Sequence, residues 1–297
     1  MKAIVLGSAA GGGVPQWNCG CRICDLARRG DPRVRPATQV GLAVSANGSD
    51  WLLVGASPDL RQQILQTPAL WPRRCGRHSP IVGVVLTGSD IDALAGLLVL
   101  RESQPFAIYA PPSVIDVLNS NHIFNVLDRR LVEHVAILPD APISPLPGLR
   151  LTLLALPGKT PLYLEDRTAA QPEAGPAYAA RIEADGRAIV MAPACARITD
   201  DMLARLRDAD VVFFDGTLYQ DDEMIVAGLG QKTGRRMGHV SLSGPDGTLA
   251  HLRDLPARRI LLHINNTNPI LLSSSPERAE TEQAGFEIAY DGMEITL

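Results

Sequence analysis

Short apolar runs, broken by glycine, proline or asparagine, recur along the chain, with brief stretches of helical spacing between them. Residues 2–6 read as a buried strand released into the turn Gly7-Ser8-Ala9-Ala10-Gly11-Gly12-Gly13. Segment 14–24 has no clear period, and a short helix fits between it and Gly30. Strands over 40–46 and 51–54 flank Asn47-Gly48-Ser49, a hairpin signal. Ser57-Pro58-Asp59 is placed to cap a helix over 60–66. The apolar run 81–86 ends in Thr87-Gly88-Ser89-Asp90, and 91–100 reads as helical in spite of Gly96. A strand over 107–109 stops at Pro111-Pro112, and a helix follows over 113–118. Further strands are expected at 149–156, 178–183, 187–191, 209–214 and 259–264, with a helix at 200–207. The Pro/Gly-bearing stretches 139–148 and 166–177 do not separate regions of different composition, so they read as surface loops of one domain spanning 1–297. Strands outnumber helices and the helices fall between them, which predicts a layered α/β protein with helices outside.

Composition narrows the class. With 46% hydrophobic and 20% charged residues the chain is not globally disordered, and at 297 residues it needs no metal or disulfide merely to fold. A net charge of −4 lacks the basic excess of a nucleic-acid-binding protein. No apolar stretch is long enough for a transmembrane helix, and the opening residues lack the apolar region and cleavage site of a signal peptide. Five cysteines, three of them within six residues, argue for reduced thiols and a cytoplasmic location.

Those three, Cys19, Cys21 and Cys24, carry the strongest local chemistry. Their sulfurs can converge on one tetrahedral Zn²⁺, with a histidine from elsewhere as fourth ligand. Cys75 and Cys195 read as small buried hydrophobes. The glycine run misses the dinucleotide spacing at Ala9 and enters a cysteine loop instead of a helix. Its backbone N–H groups, at Gly12 and Gly13, are candidates for holding an anionic substrate group. A second cluster comes from strand ends: Asp90 and Asp92, Asp215, His239 and His263. Carboxylates and imidazoles suit a divalent metal, yet helix capping, an ordinary turn and a core histidine account for these residues one by one.

The blocks GSAAGGGVPQWNCGCRIC, LTGSDIDALAGLLVLRESQPF, LPGKTPLYLE, FFDGTLYQDDEM, TGRRMGHVS and LLHINNTNPIL together resemble the pyrroloquinoline quinone (PQQ) biosynthesis protein B family, within the metallo-β-lactamase superfamily. The resemblance covers essentially the whole chain. It implies an αββα sandwich of two mixed β-sheets with helices on the outer faces, and an active site built from loops at the sheet edge. The superfamily's first metal motif, His-x-His-x-Asp-His, falls on Gly88-Ser89-Asp90-Ile91-Asp92-Ala93, so only its aspartate survives, as Asp92. The next ligand loop, around Leu156-Pro157-Gly158-Lys159, has no histidine. Asp215 and His263 match the later aspartate and the last histidine, and His239 a Gly-His of phosphodiesterase branches.

Half of a two-metal centre is therefore missing, and a hydrolase is not expected. Asp92 and Asp215, with His263, are left to hold one metal, Fe²⁺, for hydroxylating the tyrosine ring of a cross-linked Glu–Tyr intermediate. Asp90, Asp92, Asp215 and His239 are the candidate catalytic residues, with Arg235 and Arg236 as carboxylate partners beside Gly12 and Gly13. The alternative is a non-catalytic carrier, or transport-assisting protein, for PQQ or its precursor. Relatives of the superfamily carry a structural zinc on three N-terminal cysteines and a histidine. The position three after His263 is Asn266, so His263 itself is the expected fourth ligand of Cys19, Cys21 and Cys24, in competition with its active-site role. A homodimer stays open as the assembly.

Overall fold

The computed structural model describes residues 1–165 and 174–297. Its strands are β1 (Lys2–Gly7), β2 (Gly41–Ser45), β3 (Trp51–Val54), β4 (Ile81–Val85), β5 (Phe106–Ala110), β6 (Val132–Ala136), β7 (Ile143–Leu146), β8 (Leu149–Lys159), β9 (Ala174–Ala184), β10 (Arg187–Ala192), β11 (Val211–Asp215), β12 (Arg258–Leu262), β13 (Phe286–Ile288) and β14 (Glu294–Thr296). They form two seven-stranded sheets, ordered β14-β1-β2-β3-β4-β5-β6 and β13-β12-β11-β10-β9-β8-β7. Both sheets are mixed. The first is antiparallel from β14 to β3 and parallel from β3 to β6. The second is antiparallel from β7 to β10 and parallel from β10 to β13.

Alternation along the strands decides the layering. Leu42, Val44, Leu52 and Val54 from the first sheet meet Leu151, Ile182, Phe213 and Leu262 from the second in a shared core. The opposite faces bury separate sets: Ala43, Leu53 and Val84 pack with Leu60, Val114 and Leu118 of the helices Leu60–Gln66 and Pro112–Ser120. Val190, Val212 and Phe214 pack with Met202, Leu206 and Leu252 of Asp200–Leu206 and Thr248–Leu252. This is the αββα sandwich with helices on the outer faces.

Local chemistry explains where expectation and structure agree or part. Asn47 Oδ1 accepts from Ser49 N (2.7 Å) and Asp50 N (2.9 Å), closing the β2–β3 hairpin. The helix Leu60–Gln66 stands where expected, but Asp59 does not cap it; its carboxylate accepts from Gln39 N and Nε2 instead. The helix expected over 91–100 is α only at Ile91–Leu94 and tightens to a 3-10 helix over Ala95–Leu100. Gly96 is the cause: its N–H donates to Ala56 O at 2.8 Å, and a Cβ there would lie 2.1 Å from Ser57 O. The loop reading of 139–148 is corrected, since β7 forms an edge strand there, a position that tolerates Pro145. Of the loop expected over 166–177, residues 166–173 lie outside the described residues, and 174–177 belong to β9. The first helix starts earlier than expected, at Arg22 (Arg22–Arg28), because Cys21 Sγ caps it. No described helix is long and apolar enough to cross a membrane.

Candidate functional site

The parallel strands of both sheets deliver their C-terminal ends to one side of the sandwich, where loops rather than regular pairing must satisfy the chain. β4 leads to Asp90 and Asp92, β11 ends in Asp215, and β12 runs into His263. Ala9 bridges both Gln39 and Ile264, so the loop after β1 ties the two halves at this end. These elements surround a cavity of about 570 Å³ lined by Gly11, Asp90, Asp92, His239, His263 and Lys159, among others.

Beneath the cavity floor lies Asp215, fully buried. Its Oδ1 accepts from Thr217 N (3.0 Å) and Oγ1 (2.6 Å), and its Oδ2 from Cys195 N (2.9 Å) and His239 Nδ1 (2.8 Å). Thr217 Oγ1 also lies 2.8 Å from His263 Nδ1, and His263 Nε2 lies 3.0 Å from Asp92 Oδ2. The two imidazoles stack with centroids 5.0 Å apart. His263 has a positive φ of 56°, rare for a residue with a Cβ, which turns its ring out of the strand direction at the end of β12.

Charge follows geometry. Burial works to raise the Asp215 carboxyl, but His239, His263 and the Thr217 hydroxyl outweigh it and hold it below the usual range. Burial likewise opposes ionisation of Asp92 and His263, yet their mutual bond outweighs it: Asp92 is held below and His263 above its ordinary range. Asp90 is open to the cavity but crowded by protein; that desolvation, then Asp92, pushes its carboxyl above the ordinary range.

Donor atoms of Asp215, His239 and His263 all lie within 4.8 Å of one another. One carboxylate and two imidazoles match the donor count of a mononuclear site. They fit one ion and not two, because Gly88 and Ala93 present no donor atoms. Cys19, Cys21 and Cys24 form a separate group whose sulfurs also converge within 4.8 Å. Amide donors surround them: Cys21 N to Cys19 Sγ (3.4 Å), Gln16 N to Cys24 Sγ (3.3 Å), and Asn266 Nδ2 to Cys19 Sγ (3.1 Å) and Cys24 Sγ (3.3 Å). Such N–H donors favour thiolate, and three thiolates suit zinc. Burial pushes the Cys24 thiol up to about 11, whereas hydrogen bonds hold Cys19 below its ordinary value against the same burial.

Several expected placements are corrected. His263 is not beside the cysteines; Asp92 and Thr217 engage both its ring nitrogens, and Asn266 sits there instead. Gly12 and Gly13 do not line the cavity: their N–H groups are spent on Gln39 Oε1 and Ala10 O. Arg235 and Arg236 lie on an exposed 3-10 turn outside the cavity lining. Cys195 is buried, its thiol pushed up to about 12 by burial and by Asp215, but Cys75 is exposed. Sequence reasoning missed Thr217, Asn266, Lys159 and Lys232. The scarcity of lysine, found only at positions 2, 159 and 232, was a usable signal for the last two.

The chain as a whole is similar to known proteins. Residues 50–264 match the model of the beta-lactamase superfamily domain. Across its full length the chain is 52% identical to the coenzyme PQQ synthesis protein B of Methylobacterium sp. (strain 4-46), covering all of that protein. The chain belongs to the coenzyme PQQ synthesis protein B family. A second member of the family, from Rhizobium meliloti (strain 1021), is 53% identical over all of this chain and 98% of its own length. The crystal structure of Zn²⁺-bound PqqB from Methylobacterium extorquens superposes with a TM-score of 0.97 at 48% identity, covering 100% of both chains. A diphosphatase of the PhnP family shares the fold, with a TM-score of 0.69 at 21% identity over 99% of this chain and 97% of its own.

Proposed function

We propose that the chain acts in PQQ biosynthesis as an Fe²⁺-dependent hydroxylase of the Glu–Tyr-derived precursor, working in the cytoplasm as a single domain over 1–297. The observation that carries this reading is the convergence of Asp215, His239 and His263 beneath an open cavity. With Asp92 beside them, these residues would hold the iron, which supplies dioxygen chemistry when bound. Thr217 orients both imidazoles from below, and Asp215 fixes His239 through Nδ1. Asp90, its carboxyl raised and open to the cavity, is placed to carry a proton to or from a phenolic ring. The Tyr163 hydroxyl donates to Ser89 O (2.8 Å), pinning the loop that presents Asp90. Cys19, Cys21 and Cys24 would hold a structural Zn²⁺, a reading in keeping with zinc binding by the Methylobacterium extorquens relative, and the Asn266 side-chain amide donates to their sulfurs.

A second reading, a carrier for PQQ or its precursor, is favoured by one specific observation: Asp92 and His263 are already paired with each other, in a motif that has lost the donors at Gly88 and Ala93. Anaerobic Fe²⁺ loading, followed by air and mass spectrometry of the precursor, separates the two. A gain of one oxygen atom that needs both iron and protein, and that is lost in Asp92→Ala while zinc stays bound, supports hydroxylation. Unchanged precursor from folded, zinc-loaded protein that nonetheless binds it selects the carrier.

A further inference from the structure

Only three of the chain's 28 basic residues are lysine, and two of those, Lys159 and Lys232, line the cavity. The third, Lys2, is exposed at the start of β1. No arginine is among the cavity's described lining residues. Arginine therefore supplies the surface charge and lysine the cavity charge. Neither cavity ammonium is held by an ion pair or a hydrogen bond to another described residue, whereas arginines such as Arg130, Arg187, Arg258 and Arg278 are paired with carboxylates.

Lys159 is also positioned. It ends β8, and its stem lies against Gly238, where a Cβ would fall 2.8 Å from Lys159 Cγ and 3.2 Å from Cδ. Gly238 has φ +88° and immediately precedes His239, so the missing side chain lets the lysine stem pass beside the imidazole loop. Lys159 and Asp90 line the same cavity. The floor presents Asp90, Asp92, His239 and His263, while Val114, Val117, Leu162, Leu164 and Met237 give much of the wall an apolar character.

We infer that Lys159 and Lys232 form a carboxylate-binding rim, and that the cavity takes a flat organic acid with at least two carboxylates, held at the rim with its apolar or phenolic end toward Asp90 and His239. This deepens the function proposed above and rests on it for the identity of the acid. Lysine suits such a rim because a mobile point charge can follow a carboxylate that moves as the ring is positioned, where a planar guanidinium would demand one bidentate geometry.

The test measures binding of PQQ, its trimethyl ester and pyridine-2,4-dicarboxylate to zinc-loaded protein by calorimetry. The PQQ triacid is expected to bind about tenfold or more tightly than the ester, and Lys159→Met and Lys232→Met each to weaken the triacid about tenfold. Lys2→Met should bind as the unaltered chain does, and Lys159→Arg should retain part of the affinity. Unaltered thermal melting of the variants shows that they fold, and the ester comparison on the unaltered protein is independent of them. Equal binding of acid and ester, untouched by either lysine substitution, overturns the rim while leaving the PQQ-pathway reading standing. Lysine-dependent binding of pyridine-2,4-dicarboxylate without any binding of PQQ supports the rim and counts against PQQ as a ligand. No binding of any acid overturns the rim.

Discussion

His263 Nε2 and Asp92 Oδ2 are 3.0 Å apart although 171 residues separate them, and their bond joins the loop after β4 in one sheet to the end of β12 in the other. Each partner offsets the other's desolvation, so removing one leaves a buried charge to neutralise or hydrate. His263→Ala is expected to lower unfolding stability by about 3 kcal/mol. Urea titration checks this, and a loss within error of zero would show that the pair is not coupled to folding.

Thr217 is the hub under both imidazoles. Thr217→Val keeps the volume but removes the hydroxyl that Asp215 and the histidines share. The expected cost is about 1–3 kcal/mol, with both rings losing their fixed orientation. Denaturant midpoints report the energy, and histidine ring resonances in NMR spectra report the orientation.

The cysteine cluster is expected to copurify with about one zinc per chain, as for a closed structural site. Cys24→Ala should lose it, and chelation should lower Tm, because zinc affinity is part of the folding free energy. With the Cys24 thiol pushed up to about 11, uptake by metal-free protein must release protons. Calorimetry in buffers of differing ionisation enthalpy reads that release directly, and zinc bound unchanged in Cys24→Ala would refute the assignment.

Asp291 holds the loop after β1 against the loop before β2. Its Oδ1 accepts from Ser8 N (3.0 Å) and Oγ (2.9 Å), and its Oδ2 from Thr38 N and Oγ1 (both 2.7 Å). Asp291→Ala strands these donors in a part-buried place, and about 3 kcal/mol of stability should go with it. Asp291→Asn, which keeps one acceptor oxygen, should fall between. Equal midpoints for all three proteins would show that water replaces the carboxylate without loss.

His134 on β6 has both ring nitrogens buried without partners, and burial, then Arg129, lowers its pKa from 6.5 to about 4. A neutral folded imidazole and a protonating unfolded one mean that the unfolded state binds more protons between those values. Stability is therefore intact above about pH 6.5 and falls as the pH drops toward 4. Replacing His134 with Leu should flatten the fall in Tm between pH 7 and pH 5. An unchanged slope would show that other groups set the acid limb.

Local patterning was enough for the elements whose residues carry their own instructions. β3 and the helix Leu60–Gln66 fall on their expected residues, since an apolar run and a Pro-led start depend on near neighbours. The short edge strands β6, β7, β13 and β14 were not legible: edges are half-solvated, so their polar residues and Pro145 erase the alternation. The clustering of three cysteines was written in the sequence, and so was the loss of donors at Gly88 and Ala93. Which residue faces the sulfurs was not. Asn266 does because the positive φ at His263 and its bonds to Asp92 and Thr217 turn the histidine toward the cavity, leaving the next loop residues to cover the cysteines. Likewise Arg235 and Arg236 look suited to an anion by residue type, but the turn at Gly238 leaves them in solvent and gives the cavity's edge to Lys159 and Lys232. Residue type and spacing set the local chemistry, whereas the direction in which a side chain points at the end of a strand is a property of the packed sheets, which no local pattern encodes.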